Sequence, residues 1–191
     1  MTGVTTMRMD EGIDTGDMLL KVEVPIESDE TGGTLRDKLS KAGADLLIKT
    51  LKELQEGNLI PQKQEESPTL YAKRIYKEQG NIDWNRPAAE IERTVRGFDP
   101  WPGTYTYWNG NMLKIWKATV EKEEKKDSIK YTPGTVLRVE KDCFSVQTGD
   151  GVLKVKEVQL AGKKRMETSA FLRGNILEAG TLLKRTNDSV N

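Results

Sequence analysis

The stretch TGVTTMRMDEGIDTGDMLLKVEVPI, residues 2–26, decides the reading of the first third of the chain. Val4, Thr6 and Arg8 fall on one side of an extended segment and Thr5, Met7 and Met9 on the other, which predicts a strand over 3–9. Asp10-Glu11-Gly12-Ile13-Asp14-Thr15-Gly16-Asp17 follows, dense in turn formers. Met18, Leu20, Val22, Val24 and Ile26 then alternate with Leu19, Lys21 and Glu23, as in a strand with one buried face. The segment reads as two strands joined by a carboxylate-rich loop.

Outward from that pair, Ser28–Thr34 supplies helix-start chemistry. Leu35, Leu39, Ala42, Leu46, Leu47, Leu51 and Leu54 recur at three and four residues, one apolar stripe on a helix over 34–56. Gly57 stands where a left-handed C-terminal residue belongs. Two strands are too few to be independently stable. Residues 1–60 therefore read as the end of an α/β domain, a remnant of two strands and a long helix.

Residues 61–84 change character, with Pro61, Pro68 and several Gln and Glu but no sustained period. They read as a linker with a short helix at 69–76. A second helix is expected to open at Asn85-Arg86-Pro87 and to end before Asp99-Pro100-Trp101-Pro102-Gly103. Strands are then expected at 104–108, 112–120, 135–139, 144–148 and 152–160, the first two joined by an Asn109-Gly110 hairpin turn. A last short helix is expected at 168–177. Five strands at such spacing predict a small OB-like β-barrel, placed here in a domain over 85–191.

Composition removes whole classes of chemistry. The chain has 191 residues, 36% apolar and 31% charged, with no histidine and one cysteine, Cys143. These counts exclude a Ser/His/Asp triad, a Cys/His pair, His-ligated zinc and a Cys-rich metal site within this chain, and no metal is expected. A single cysteine fits a reducing cytoplasm, and no stretch approaches the ~20 apolar residues of a membrane helix. The formal net charge is zero, yet residues 1–60 carry 7 basic and 12 acidic side chains, while residues 114–191 carry 16 and 11. The basic part could meet a polyanion; solvated lysine-rich strand faces are the plainer alternative.

The Asp10–Asp17 loop holds four acids in eight residues and admits three readings. An oxygen-only metal site is one, although the EF-hand spacing is missing. A hairpin loop stabilised by Asp and Gly is another. The third is a positioned carboxylate that takes part in proton transfer. Gly12 and Gly16 are expected at positive φ. Gly149-Asp150-Gly151 reads as a hairpin turn before a phosphate cradle, and Lys122–Lys126 as a charged loop. Trp84, Trp101, Trp108 and Trp116 could stack bases. Trp101, between two prolines, reads as a packing corner, and Trp116, among lysines on a strand, reads as core.

In order and spacing, residues 2–26, FDPWPGTYTYWNG (98–110), KIWKA (114–118), TGDGVLKVKEVQLAGKKRM (148–166) and FLRGN (171–175) resemble the methionyl-tRNA formyltransferase family over about residues 2–183. That resemblance implies formyl transfer from 10-formyltetrahydrofolate to the amine of methionyl initiator tRNA. It implies the end of a Rossmann-like catalytic domain, a linker and an OB-like domain that helps hold the tRNA, in a monomer. The family's catalytic set is an Asn, a His and an Asp; by motif position the Asp is Asp14, and the Asn and His lie upstream of the matched stretch. Lys163, Lys164 and Arg165, with Lys114, Lys117, Lys154 and Lys156, become candidates for tRNA phosphates. The chain is thus expected to be a fragment, inactive alone. A non-catalytic tRNA-binding module and a formyltransferase acting on another amine are the alternatives.

Overall fold

The structure, a computed structural model, describes residues 1–64, 72–121 and 131–186. The chain divides into two units, Met1–Arg74 and Ile75–Asn191. In the first, β1 (Thr2–Met7) pairs antiparallel with β2 (Met18–Val24), from Thr2 opposite Val24 to Met7 opposite Met18. Helix α1 (Gly32–Glu56) lies across both strands. Thr31 caps it in a capping box with Thr34, and Gly57 ends it at φ 73°.

The buried strip of α1 differs from the expected stripe. Leu46 and Thr50 are buried, and Leu35, Leu39, Ala42 and Gly43 are half-buried. Leu47, Leu51 and Leu54 are exposed, as is Ile48 at 70%. A two-stranded ribbon spans about 5 Å between strands, too narrow to cover a wide apolar stripe. Where it does reach, contact is polar as well as apolar: the Thr6 hydroxyl meets the Thr50 hydroxyl at 2.9 Å.

In the second unit a 3-10 turn, Lys77–Gly80, precedes α2 (Ala88–Gly97). The helix expected at 69–76 falls partly outside the described residues, and 72–76 are not helical. The strands are β3 (Thr104–Trp108), β4 (Asn111–Glu121), β5 (Val136–Val139), β6 (Phe144–Gln147), β7 (Val152–Leu160) and β8 (Met166–Glu167), followed by α3 (Thr168–Gly174). Asn109 and Gly110 take φ 48° and 73° between β3 and β4, the left-handed pair that a tight hairpin needs.

Strand order is β3-β4-β7-β6-β5, with β8 also paired to β7. Alternation supplies the core: Leu113 and Ile115 of β4, Leu153 and Val155 of β7, and Phe144 and Val146 of β6 are fully buried. Ala88, Ile91 and Val95 of α2, at helical spacing, join them, as do Phe171 and Leu183. Ile82 and Trp84, within the stretch read as linker, belong to this core, and Trp84 Nε1 donates to Thr106 Oγ1 at 3.2 Å.

The sheet does not close into the expected barrel. Among the described residues no ladder joins β3 to β5. Instead the segment 180–184 serves both edges. Lys184 exchanges backbone hydrogen bonds with Tyr107 at 2.9 and 3.0 Å, and Thr181 and Leu183 bond to Val136 and Gly134. This short irregular strap satisfies edge groups that sequence spacing had assigned to barrel closure. No helix of the described residues is long and apolar enough to cross a membrane.

Candidate functional site

Two surfaces carry the residues singled out by sequence, and each lies within one unit. The first is the loop between β1 and β2. Arg8 N donates to Asp17 O at 2.9 Å across its base. Inside it, Asp10 Oδ1 accepts from Gly12 N at 3.0 Å and from Thr15 Oγ1 at 2.6 Å, a turn built on one carboxylate. Gln64 then reaches in from beyond α1, donating Nε2 to Asp14 O at 2.8 Å and to Gly16 O at 2.7 Å. Gln62 and Met18 exchange backbone hydrogen bonds at 2.8 Å beside it. Nothing in the sequence pattern marked Gln64, which lies in a stretch without periodicity.

The glycines act differently from expectation. Neither Gly12 nor Gly16 takes positive φ; Asp14 does, at 56°. Gly16 is buried, and a Cβ there would collide with the Arg8 carbonyl, so the position needs glycine for close approach. Asp14 is exposed, and its carboxylate has no hydrogen bond or ion pair among the described residues. The loop thus divides its acids: Asp10 folds the turn, while Asp14 is held by its backbone, its carboxylate unpartnered among the described residues. Such a group can accept a proton or orient a cationic partner.

The second surface is the outer side of β4 and β7. Lys163 and Lys164 are exposed, with no ion pair among the described residues. Arg165 is engaged. Its guanidinium pairs with Glu157 at 2.5 and 2.8 Å and with both oxygens of Asp99 at 3.0 and 3.1 Å. It also lies 4.8 Å from the Trp116 ring centroid. Glu157 first, then Asp99, raise its pKa further above the ordinary arginine value. Lys114 approaches the same ring at 5.2 Å, and Lys154 pairs with Glu140 at 3.3 Å.

Trp116 is half-buried, its Nε1 donating to Gln159 at 3.0 Å. Trp101 is 55% exposed rather than packed in a core. The Gly149–Gly151 turn spends its backbone on the fold, Asp150 O accepting from Ala88 N at 2.8 Å. The Lys122–Lys126 run lies outside the described residues.

The model of the formyl transferase C-terminal domain matches residues 74–175, and that of the formyl transferase domain matches residues 1–51. The chain belongs to the formyl transferase family. A relative named methionyl-tRNA formyltransferase from Lachnospira eligens is 50% identical over 185 residues, 95% of this chain and 58% of that protein. One of the same name from Geobacillus thermodenitrificans is 50% identical over 190 residues, 98% of this chain and 58% of its own length. The chain therefore spans a little over half the length of the relatives it matches.

Two solved structures share the fold of this chain. HypX from Aquifex aeolicus, in complex with tetrahydrofolic acid, matches with a TM-score of 0.63 at 21% identity, over 90% of this chain and 30% of its own. An N-formyltransferase from Helicobacter canadensis, with folinic acid and dTDP-3-aminofucose, matches with a TM-score of 0.61 at 22% identity, over 86% and 55%. At these identities the likeness is one of fold.

Proposed function

We propose that this chain serves formyl transfer from 10-formyltetrahydrofolate to the α-amine of methionyl initiator tRNA, in the cytoplasm, as the carboxylate-bearing and tRNA-holding part of a monomeric methionyl-tRNA formyltransferase. The observation that carries it is the division of labour in the β1–β2 loop. Asp10 closes the turn, and the carboxylate at the motif position, Asp14, has no partner among the described residues and stands on a backbone pinned by Gln64. Relatives of this name at 50% identity support formyl transfer to methionyl-tRNA.

Asp14 is the catalytic carboxylate in this reading. A carboxylate beside an imidazole fixes its orientation and favours its protonated form, which can stabilise an oxyanion developing on the formyl carbonyl. This chain has no histidine, so the imidazole must come from outside it. Residues 1–60 act as the end of the catalytic domain, and the second unit, whose core takes in Ile82 and Trp84, as the domain that holds tRNA. There Lys163 and Lys164 contact phosphates, and Arg165 supports the surface they stand on.

The test uses the purified chain, the folate donor and charged initiator tRNA. Alone, the chain shows no turnover but binds tRNA, with affinity falling steeply as salt rises. Supplied with the upstream half of the Lachnospira eligens relative, it turns over, and Asp14→Asn abolishes that. Turnover by the chain alone, lost in Asp14→Ala, overturns the incomplete-site reading. Tight tRNA binding without restored turnover favours a non-catalytic tRNA-binding module, for which the exposed Lys163 and Lys164, without an ion pair among the described residues, are the supporting observation.

A further inference from the structure

We infer that Trp101 is a stacking platform for an unpaired RNA base, presented beside the lysines that grip phosphate. The inference rests on the tRNA-holding role proposed for the second unit and adds a named contact to it. Of the four tryptophans, Trp84 and Trp108 are buried at 3% and 8% and Trp116 is half-buried, whereas Trp101 is 55% exposed. Folding therefore leaves one large ring largely in water, where its apolar area contributes little to stability.

The turn that carries this ring is fixed on three sides. Phe98 N donates to Thr94 O and Asp99 N to Arg96 O, so the turn continues from the last turn of α2. Gly103 N donates to Phe98 O at 2.9 Å, closing the turn on itself. Gly103, at φ 77°, lies so close to Trp116 that a Cβ there would stand 2.9 Å from the indole. Asp99, two residues before Trp101, is gripped by Arg165 through both of its oxygens. A ring on a turn held this way loses little further freedom when it meets a partner.

Charge selects the partner. Arg165 joins the turn to β7, and the residues just before it are the exposed Lys163 and Lys164, without an ion pair among the described residues. Lys114 stands over Trp116, and Lys117 is exposed in register with Glu157. Arg165 offsets part of the charge of Asp99, Glu157 and the Glu167 opposite Glu157, and with the four lysines the cations of this junction still outnumber its acids. Exposed indole beside ammonium groups is the combination that binds single-stranded nucleic acid, the cations tracking the backbone and the ring taking any base, since every base has a π-face.

Binding is measured by anisotropy for an unstructured oligoribonucleotide and for a duplex of the same length, at several salt concentrations, using the full chain. Trp101→Ala is expected to weaken single-strand binding about 5- to 150-fold, the range for one stacked base. It should leave duplex binding, the salt slope and the melting temperature unchanged, and Trp101→Phe should retain most of the affinity. Folded Trp101→Ala that binds the single strand like wild type overturns the inference. Should that variant not fold, Trp101→Leu and Trp101→Phe decide: equal affinities show that apolar bulk, not stacking, is what the site uses, and overturn it as well. The phosphate reading is tested apart from this by Lys163→Ala/Lys164→Ala, which should flatten the salt slope whether or not Trp101 stacks.

Discussion

Arg165 holds Asp99 across 66 residues of sequence, with Nη1 placed 3.0 and 3.1 Å from its two carboxylate oxygens. The same guanidinium binds Glu157 on β7. Asp99 is only 13% exposed and Glu157 18%, so removing Arg165 strands two partly desolvated carboxylates. Arg165→Ala should cost about 1–3 kcal/mol, between an exposed pair and a buried one. Arg165→Lys should restore little, because one ammonium cannot reproduce the fork that meets both acids. Urea unfolding measures both. Consequently a triple alanine variant of Lys163, Lys164 and Arg165 would mix binding with stability, and the double lysine variant is the clean test of phosphate contact.

Cys143 is buried and donates to Glu140 Oε2 at 3.1 Å. Burial first, then the Glu140 carboxylate, push its thiol up to about 12. The thiolate is the reactive form, so iodoacetamide at pH 8 should label the folded chain negligibly and the denatured chain readily. The sign for stability follows. The native state keeps its proton to higher pH than the unfolded state, whose thiol titrates near roughly 8.5. This contribution is fully present below that value and is lost as pH rises toward 12. A Cys143→Ala variant should therefore show a flatter fall of stability above pH 9.

The two units should differ in local stability. Among the described residues of the first unit, Val24 and Leu46 are the buried apolar side chains, whereas the second unit buries a continuous cluster spanning α2, β4, β6 and β7. Amide exchange should accordingly be much faster in β1, β2 and α1 than in β4 and β7. Equal protection would mean that the exposed Leu47, Ile48, Leu51 and Leu54 find cover in solution.

Much of this was legible in sequence where one period ruled. The strands at 2–7 and 18–24, the helix ended by Gly57 and the Asn109-Gly110 hairpin all follow from local alternation, capping and turn chemistry. What failed was decided by distant partners. The half of the α1 stripe left exposed depends on how few strands lie beneath it. The open sheet depends on a strap at 180–184 that has no strand pattern of its own. Arg165 looked like one of three equivalent cations, since Asp99 and Glu157 are far from it in sequence. In the loop, Asp14 is singled out only by the family resemblance, while Gln64, 50 residues away, carries no signal.

The β1–β2 loop yields the sharpest contrast, because two of its four acids, Asp10 and Asp14, are placed differently within one turn. Asp10→Ala removes the acceptor for Gly12 N and Thr15 Oγ1, leaving the turn without its internal bonds. Exchange at Gly12 and at the loop end of β2 should then rise, with a loss of about 1 kcal/mol, the usual net value of such bonds at an exposed site. Asp14→Asn removes no hydrogen bond among the described residues and keeps a residue that tolerates the left-handed backbone, so exchange and unfolding should match wild type. Gln64→Ala should resemble Asp10→Ala, since it releases the carbonyls of Asp14 and Gly16 together. In the reconstituted formyl transfer assay the order should invert: Asp14→Asn abolishes turnover, while Asp10→Ala and Gln64→Ala lower it in proportion to the looseness of the loop. If Asp14→Asn instead loosened the loop as Asp10→Ala does, its carboxylate would be structural and the assignment of chemistry to it would fall.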